Sequence, residues 1–189
     1  MLITKTNPQG IDFMLQQLQT MLHDSLLLKW GISSADYKCY GRCYRNRYQY
    51  GYVAENYEGG REYKEVYWDD ALKVLSFFGT SQRVIFEGSE KADVHLVFFV
   101  NLEKIKPSVV HRADEEVRKD VIELLRVSNY GLSYEGYEVY VENVLREYPG
   151  SRRDDRLTAV DMHPTHCFRI NLSSIYDITK NNCQPFTNI

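Results

Sequence analysis

The sequence predicts an α+β fold: a mainly antiparallel sheet, two packed helices and a long hairpin-like excursion. Three observations carry this reading. Apolar residues recur at three- and four-residue spacing in two separate stretches, the pattern of helices with one buried stripe. The strand-like runs cluster between and after those helices instead of alternating with them, which argues against a parallel doubly wound sheet. The run Ala92 to Asn101 is apolar on both faces in its middle. Val94, Leu96, Phe98 and Val100 line one side and Val97 and Phe99 the other, so this strand needs cover on both sides and belongs at the centre of the sheet.

The first helix begins near Asn7 or Pro8, where a polar cap followed by proline suits a helix start. Ile11, Leu15, Leu18, Leu22 and Leu26 form its stripe, with Met14 and Met21 beside them and Gln16, Gln17, Gln19 and His23 mostly off it. Gly31 is its expected stop. Residues 37 to 68 read as an excursion of two strand-like arms. Tyr40, Tyr44, Tyr48, Tyr50 and Tyr52 are all even and would share one face of an extended arm, and Asn56, Gly59 and Gly60 supply the turn before Glu62 to Trp68 returns. Leu72 to Phe78 and Arg83 to Glu87 are two strands joined across Gly79-Thr80-Ser81-Gln82, and Gly88 to Lys91 turns into the central strand to complete an antiparallel meander.

The second helix spans Asp114 to about Ser128. Three acids open it, favourable to the helix dipole, and Val117, Val121, Leu124 and Leu125 form its buried stripe. Glu115 and Lys119 pair on its wet side for roughly 0.3–0.5 kcal/mol. Tyr137 to Leu145 alternates as a strand, Pro149 to Asp155 is an exposed loop, and His166 to Ser174 alternates as a half-buried strand. The tail from Asp177 to Ile189 has too little apolar content to pack alone and is expected to order against a neighbour.

With 189 residues the chain is expected to form a single domain able to bury its own core without a disulfide or metal staple. A net charge of −3 excludes a generally basic nucleic-acid coat, though not a local basic patch. Tyrosine is the compositional outlier with 15 residues, a type favoured on strands and at protein interfaces. No signal peptide or transmembrane run is legible at the N-terminus. The expectation is therefore folding in a reducing cytoplasm, with Cys39, Cys43, Cys167 and Cys183 as free thiols.

No reaction is legible. The chain lacks a phosphate-binding glycine loop, a serine elbow or a nucleotide fingerprint, and the expectation is no turnover and no cofactor. Cys39 and Cys43, with His163, His166 and Cys167, have ligand chemistry for zinc, but no second cysteine pair completes a knuckle. Buried thiols are the more ordinary reading. His95, flanked by the apolar strand, reads as a satisfied, partly buried histidine.

The excursion is the least ordinary stretch. Lys38, Arg42, Arg45 and Arg47 precede a run containing Glu55, Glu58, Glu62 and Glu65. Tyrosine and arginine at this density suit base stacking on single-stranded nucleic acid or anchoring at a protein interface. A basic arm followed by an acidic arm favours the interface, because opposite patches can meet head to tail between copies. The candidate subunit interface is Tyr40, Arg42, Tyr44, Arg45, Arg47, Tyr48, Glu55, Glu58, Glu62 and Glu65.

Several segments carry a family resemblance. They are Tyr40-Gly41-Arg42-Cys43-Tyr44-Arg45-Asn46, Tyr63-Lys64-Glu65-Val66, Leu75-Ser76-Phe77-Phe78, Val97 to Leu102, Asp114 to Asp120 and Asp161 to Ile170. Across roughly residues 11 to 176 the chain resembles small virion proteins of tailed bacteriophages, among them crAss-like phages of gut Bacteroidales, from the head-to-tail connector region. The resemblance implies an α+β subunit similar to tail-terminator or tail-completion proteins. Such subunits form a homo-oligomeric ring beside portal, connector or tail proteins, through which DNA passes without sequence-specific contact. It implies a virion location after assembly in the bacterial cytoplasm, no membrane, and no catalytic residues. The long excursion departs from compact terminators. The alternatives are a single-stranded nucleic-acid binder using the Tyr/Arg arm and a zinc protein using the His/Cys cluster.

Overall fold

The structure is a computed structural model that describes residues 1–49, 51–57, 63–86, 89–109, 111–128, 130–152 and 162–177. It is α+β, with a six-stranded mixed sheet, largely antiparallel, and a separate three-stranded antiparallel sheet. In chain order the elements are β1 (Leu2–Ile3), α1 (Ile11–Trp30), β2 (Tyr37–Arg42), β3 (Tyr44–Tyr48), β4 (Gly51–Tyr57), β5 (Tyr63–Glu65), β6 (Val74–Phe86) and β7 (Ser89–Asn101). There follow α2 (Leu102–Ile105), α3 (Asp114–Val127), β8 (Leu132–Glu138), α4 (Val141–Val144), a 3-10 turn (Pro149–Arg152) and β9 (Thr165–Asp177). The large sheet runs β1-β2-β6-β7-β9-β8 and the small one β3-β4-β5.

β7 lies inside the large sheet between β6 and β9, as its two apolar faces require. Val94, Leu96, Phe98 and Val100 join α1 and α3 in one core, the helix face, while Val97 and Phe99 join the second core with Ala54 and Val66 of the small-sheet segment. The molecule is therefore three-layered: helices, large sheet, then small sheet with the α4 region.

α1 buries Ile11, Met14, Leu15, Leu18, Leu22 and Leu26, each worth roughly 1.5–3 kcal/mol. It stops at Gly31, whose φ of 61° is the left-handed conformation a glycine adopts without strain. Gln19 and His23 prove buried, not off the stripe. Gln19 Nε2 donates to the carbonyls of Ile3 and Cys39, at 2.8 Å each, and so clamps α1 to both β1 and β2. α3 lies within the expected span, and Asp120 on it accepts from Trp30 Nε1 at 2.9 Å, tying the two helices together. Glu115 pairs with Arg118, and Lys119 with Glu123, in place of the Glu115–Lys119 pair.

Four sequence expectations are corrected. Residues 37–42 are not excursion: β2 pairs in parallel with β1 and β6, a long-range register that no local pattern announces. Val74 to Phe86 is one strand, because Gly79 to Gln82 forms an irregularity between Thr80 and Arg83 and not a turn. Tyr137 to Leu145 is not a strand, since β8 ends at Glu138 and α4 follows. β9 is covered on both faces along most of its length. Cys167 and Arg169 are as buried as Phe168 and Ile170, because the α4 region lies over the second face. The tail expectation for 178–189 lies outside the described residues, as do Tyr50, Glu58 and Glu62.

Candidate assembly surface

The small sheet is built from a hairpin whose register opposes Tyr48 to Gly51 and Tyr44 to Glu55. Paired residue numbers sum to an odd value, so even residues of β3 share a face with odd residues of β4. Tyr44, Asn46 and Tyr48 therefore lie on one face with Val53, Glu55 and Tyr57, and β5 adds Tyr63 and Glu65. Arg45 and Arg47 lie on the opposite face with Tyr52, Ala54, Asn56 and Lys64. The single face of even tyrosines is thus broken at the hairpin: Tyr52 turns away from Tyr44 and Tyr48.

On the tyrosine face, Glu55 is buried, and among the described residues its carboxylate accepts from two neutral groups, Asn46 Nδ2 at 2.9 Å and Tyr48 Oη at 2.7 Å. Glu65 stands directly across the strand from it. Tyr63 packs edge-on to Tyr44 and tilted against Tyr57, with ring centroids 5.9 and 5.4 Å apart. Tyr48 and Tyr63 remain 50% and 54% exposed. On the arginine face, Ala54 and Asn56 pack inward and the β3 edge stays open. Arg45 lies over the ring of Tyr52 at 4.9 Å, and both Arg45 and Arg47 are exposed.

Two members of the expected interface belong elsewhere. Tyr40 is core, on the second face of the large sheet. Arg42 makes a two-pronged contact to Asp12 of α1, at 2.5 and 3.2 Å, and reaches Tyr44 Oη at 3.2 Å. Burial of the Asp12 carboxyl opposes its ionisation, but Arg42 and Lys5 outweigh burial and hold it below its ordinary range.

The small sheet sits on a buried polar joint that sequence reasoning missed. Arg169 of β9 is 1% exposed and grips both oxygens of Glu147, with Nη2 at 3.0 Å from Oε1, while its Nε donates to Asn171 Oδ1 at 2.6 Å. Beside it, His95 Nε2 lies 3.2 Å from Tyr148 Oη, and Nδ1 has no hydrogen-bond partner among the described residues. Ser151 Oγ, three residues beyond Tyr148, accepts from the Ala54 N–H at 3.4 Å. Gly150 approaches Gly51 and Tyr52 so closely that a Cβ there would lie 2.9 Å from the Tyr52 carbonyl oxygen. The large sheet thereby holds the segment after α4, and that segment holds β4.

Burial, reinforced by Arg169, lowers His95 to about 3. On the helix face His166, 1% exposed, lies between Arg112 Nη2 at 3.2 Å and Arg118 Nη1 at 3.3 Å. Burial and then Arg112 lower it to about 4. Burial would raise Glu147, but Arg169 overrides it and lowers it to about 2. Both histidines are neutral when folded and take up protons near pH 6.5 when unfolded, so the unfolded state binds more protons below that value. The stability they contribute is full above pH 6.5 and falls with pH by about 1.4 kcal/mol per unit for each. It levels off only near pH 3–4, after Glu147 has begun to lose its contribution below its unfolded value. Urea unfolding should therefore show a loss of roughly 2–4 kcal/mol between pH 7 and pH 5, and a flat profile there would contradict the burial of these rings.

The zinc constellation is dispersed. Cys39 lies on the helix face of the large sheet, whereas Cys43 and Cys167 lie in the second core. His166 is held by arginines, and His163 borders a cleft of about 280 Å³ with Lys106 and Arg112, its Nε2 3.2 Å from Glu103. Burial pushes the Cys39 thiol up to about 11 and the Cys43 thiol higher, so neither offers a ready thiolate. Among the described residues no group of three His, Cys, Asp or Glu side chains is placed to hold a metal ion, and no helix is long and apolar enough to cross a membrane. No protein-family model matches the chain, and no curated protein matches it.

Proposed function

We propose that this protein is a structural subunit of a phage head-to-tail connector or tail-completion ring, self-assembling around the DNA channel and joining portal or head to tail. It performs no turnover and holds no cofactor. The observation that supports this is the small sheet: a second layer with Arg45 and Arg47 exposed on one face and a tyrosine cluster with Glu55 and Glu65 on the other. Exposed tyrosine and arginine are interface chemistry. Opposite charge on opposite faces suits contacts that propagate from copy to copy and close into a ring. The net charge of −3 suits a channel that does not grip its cargo. Electron microscopy of the native particle, with an antibody to this protein, tests the proposal. Label on a ring at the head–tail junction is the expected result, and purified virions lacking the protein would refute it.

A second reading, single-stranded nucleic-acid binding, is favoured by one observation, the Arg45 guanidinium stacked over the exposed Tyr52 ring at the hairpin end. Its mark is an affinity that falls steeply with salt.

A further inference from the structure

We infer that the small sheet and residues 141–151 form a latched layer that opens from the large sheet as one unit, and that a proton on the His95 ring unlatches it. The inference does not depend on the ring reading. The layer is held together by its own contacts. Ser151 Oγ accepts from the Ala54 N–H at 3.4 Å, and the Val66 N–H donates to the Ala54 carbonyl at 2.8 Å. Gly150 lies so close to Gly51 and Tyr52 that this segment and β4 move together. Ala54, Val66, Trp68, Val144, Leu145 and Tyr148 give the layer a single apolar underside, packed in the second core. Its polar hold on the large sheet is the joint: Glu147 on Arg169 of β9 and Tyr148 on His95 of β7. The helix-face core with α1 and α3 lies on the other side of the sheet, so the layer can lift while that core stays closed.

The latch follows from where His95 sits. Its ring is 0% exposed, between Gly79 of β6 and Asn171 of β9. Nε2 meets Tyr148 Oη at 3.2 Å, and Nδ1 has no hydrogen-bond partner among the described residues. A neutral ring leaves only a bare lone pair at Nδ1. A protonated ring carries an N–H on both nitrogens, and the one at Nδ1 then faces no acceptor while bearing charge. The charged groups that act on the ring are Arg169 on β9, Arg146 and Glu147 on the segment and Arg45 on β3. These are three cations and one acid, and Arg169 already grips both oxygens of that acid. Burial first, and then Arg169, hold the closed ring at about 3. Lifting Tyr148 and Glu147 away lets water reach the ring, which regains its ordinary value of 6.5. The open state therefore binds the proton, and opening becomes up to about tenfold more frequent per pH unit below 6.5. Glu147 keeps its charge in both states down to its ordinary value of 4.5, and burial keeps Tyr148 a neutral phenol. Between pH 7 and pH 5 the histidine is thus the group of the joint that changes charge.

Hydrogen exchange of the full chain, read by mass spectrometry at pH 7 and pH 5 and corrected for the intrinsic rate, tests this. Peptides covering 51–57 and 141–151 should exchange through an opening more frequent than that of α1. That opening should rise about 20- to 30-fold from pH 7 to pH 5. In His95→Gln, which keeps a polar group but does not titrate, the rise should vanish from both peptides. In His166→Gln, which removes the buried histidine of the helix face, the rise should remain. Equal opening of the layer and α1 in the wild type, with the same pH dependence, overturns the inference, because the layer would then open only with the whole molecule. A rise that persists in His95→Gln, or disappears in His166→Gln, overturns it as well.

Discussion

Arg169→Met should cost the protein about 3–5 kcal/mol, measured by urea unfolding at neutral pH. The methionine replaces most of the buried stem of the arginine, so the loss is electrostatic and not a cavity. Its cause is Glu147, whose side chain is only 12% exposed and whose carboxylate would be left without its main partner. Arg146 Nε also reaches Glu147, at 3.2 Å, but from a side chain half in solvent, where an ion pair is worth far less. Asn171 Oδ1 would lose its donor as well. Arg169→Met/Glu147→Leu should regain much of the loss, because a buried pair replaced by apolar groups often costs little, whereas a buried pair broken on one side costs a great deal. If Arg169→Met lost less than about 1 kcal/mol, water would be reaching the pair and the joint would not be sealed.

Gly79→Ala should destabilise by about 3 kcal/mol or more, at the upper end of what overpacking costs. A Cβ at this position would fall well inside the contact distance of His95 Nε2 and Tyr148 Oη. Neither group can step aside. His95 is fixed on the central strand β7, and the Tyr148 ring is packed edge-on against Phe77 at 5.5 Å. The backbone of Gly79 is not at issue, because the missing side chain is the space that the His95–Tyr148 contact occupies. Gly79→Ala/Tyr148→Phe removes one of the two clashing atoms and should recover part of the loss in the same assay. An unchanged unfolding midpoint in Gly79→Ala would mean that the ring of His95 lies elsewhere.

The elements legible in the sequence are those whose residues answer to a local period. α1, α3, β7 and β9 are long, and their apolar residues repeat at the spacing of the structure they adopt. What remained illegible depends on residues far away in the chain. β2 looks like part of an arm because its tyrosine spacing continues past Arg42, yet it is bound to β6 through residues about 37 positions later. Gly79 looks like a turn residue, because a close approach of His95 and Tyr148 leaves no mark in the local pattern. Arg169 sits at the polar beat of an alternating strand and reads as solvated, whereas Glu147, 22 residues away, makes its burial affordable. The candidate assembly surface was half legible. The density of tyrosine and arginine was visible, but the register of the hairpin, which sends Arg45 and Tyr44 to opposite faces, was not.

The mixed part of the large sheet has a topological consequence. β1, β2 and β6 are neighbours and run parallel, so the chain steps across the sheet twice in one direction. The first step is bridged by α1 on the helix face and the second by the small sheet on the opposite face. Two successive parallel crossovers that advance the same way on opposite sides have opposite hands, so one of them is left-handed. Nearly all strand–crossover–strand units are right-handed. The small sheet is therefore no appendage on a finished platform: it is the covalent bridge of one of these two steps. Six residues of β2 separate its exit at Arg42 from the level at which β6 begins, about 20 Å of extended chain. Any shorter replacement for the small sheet has to span that length on the same face of the sheet.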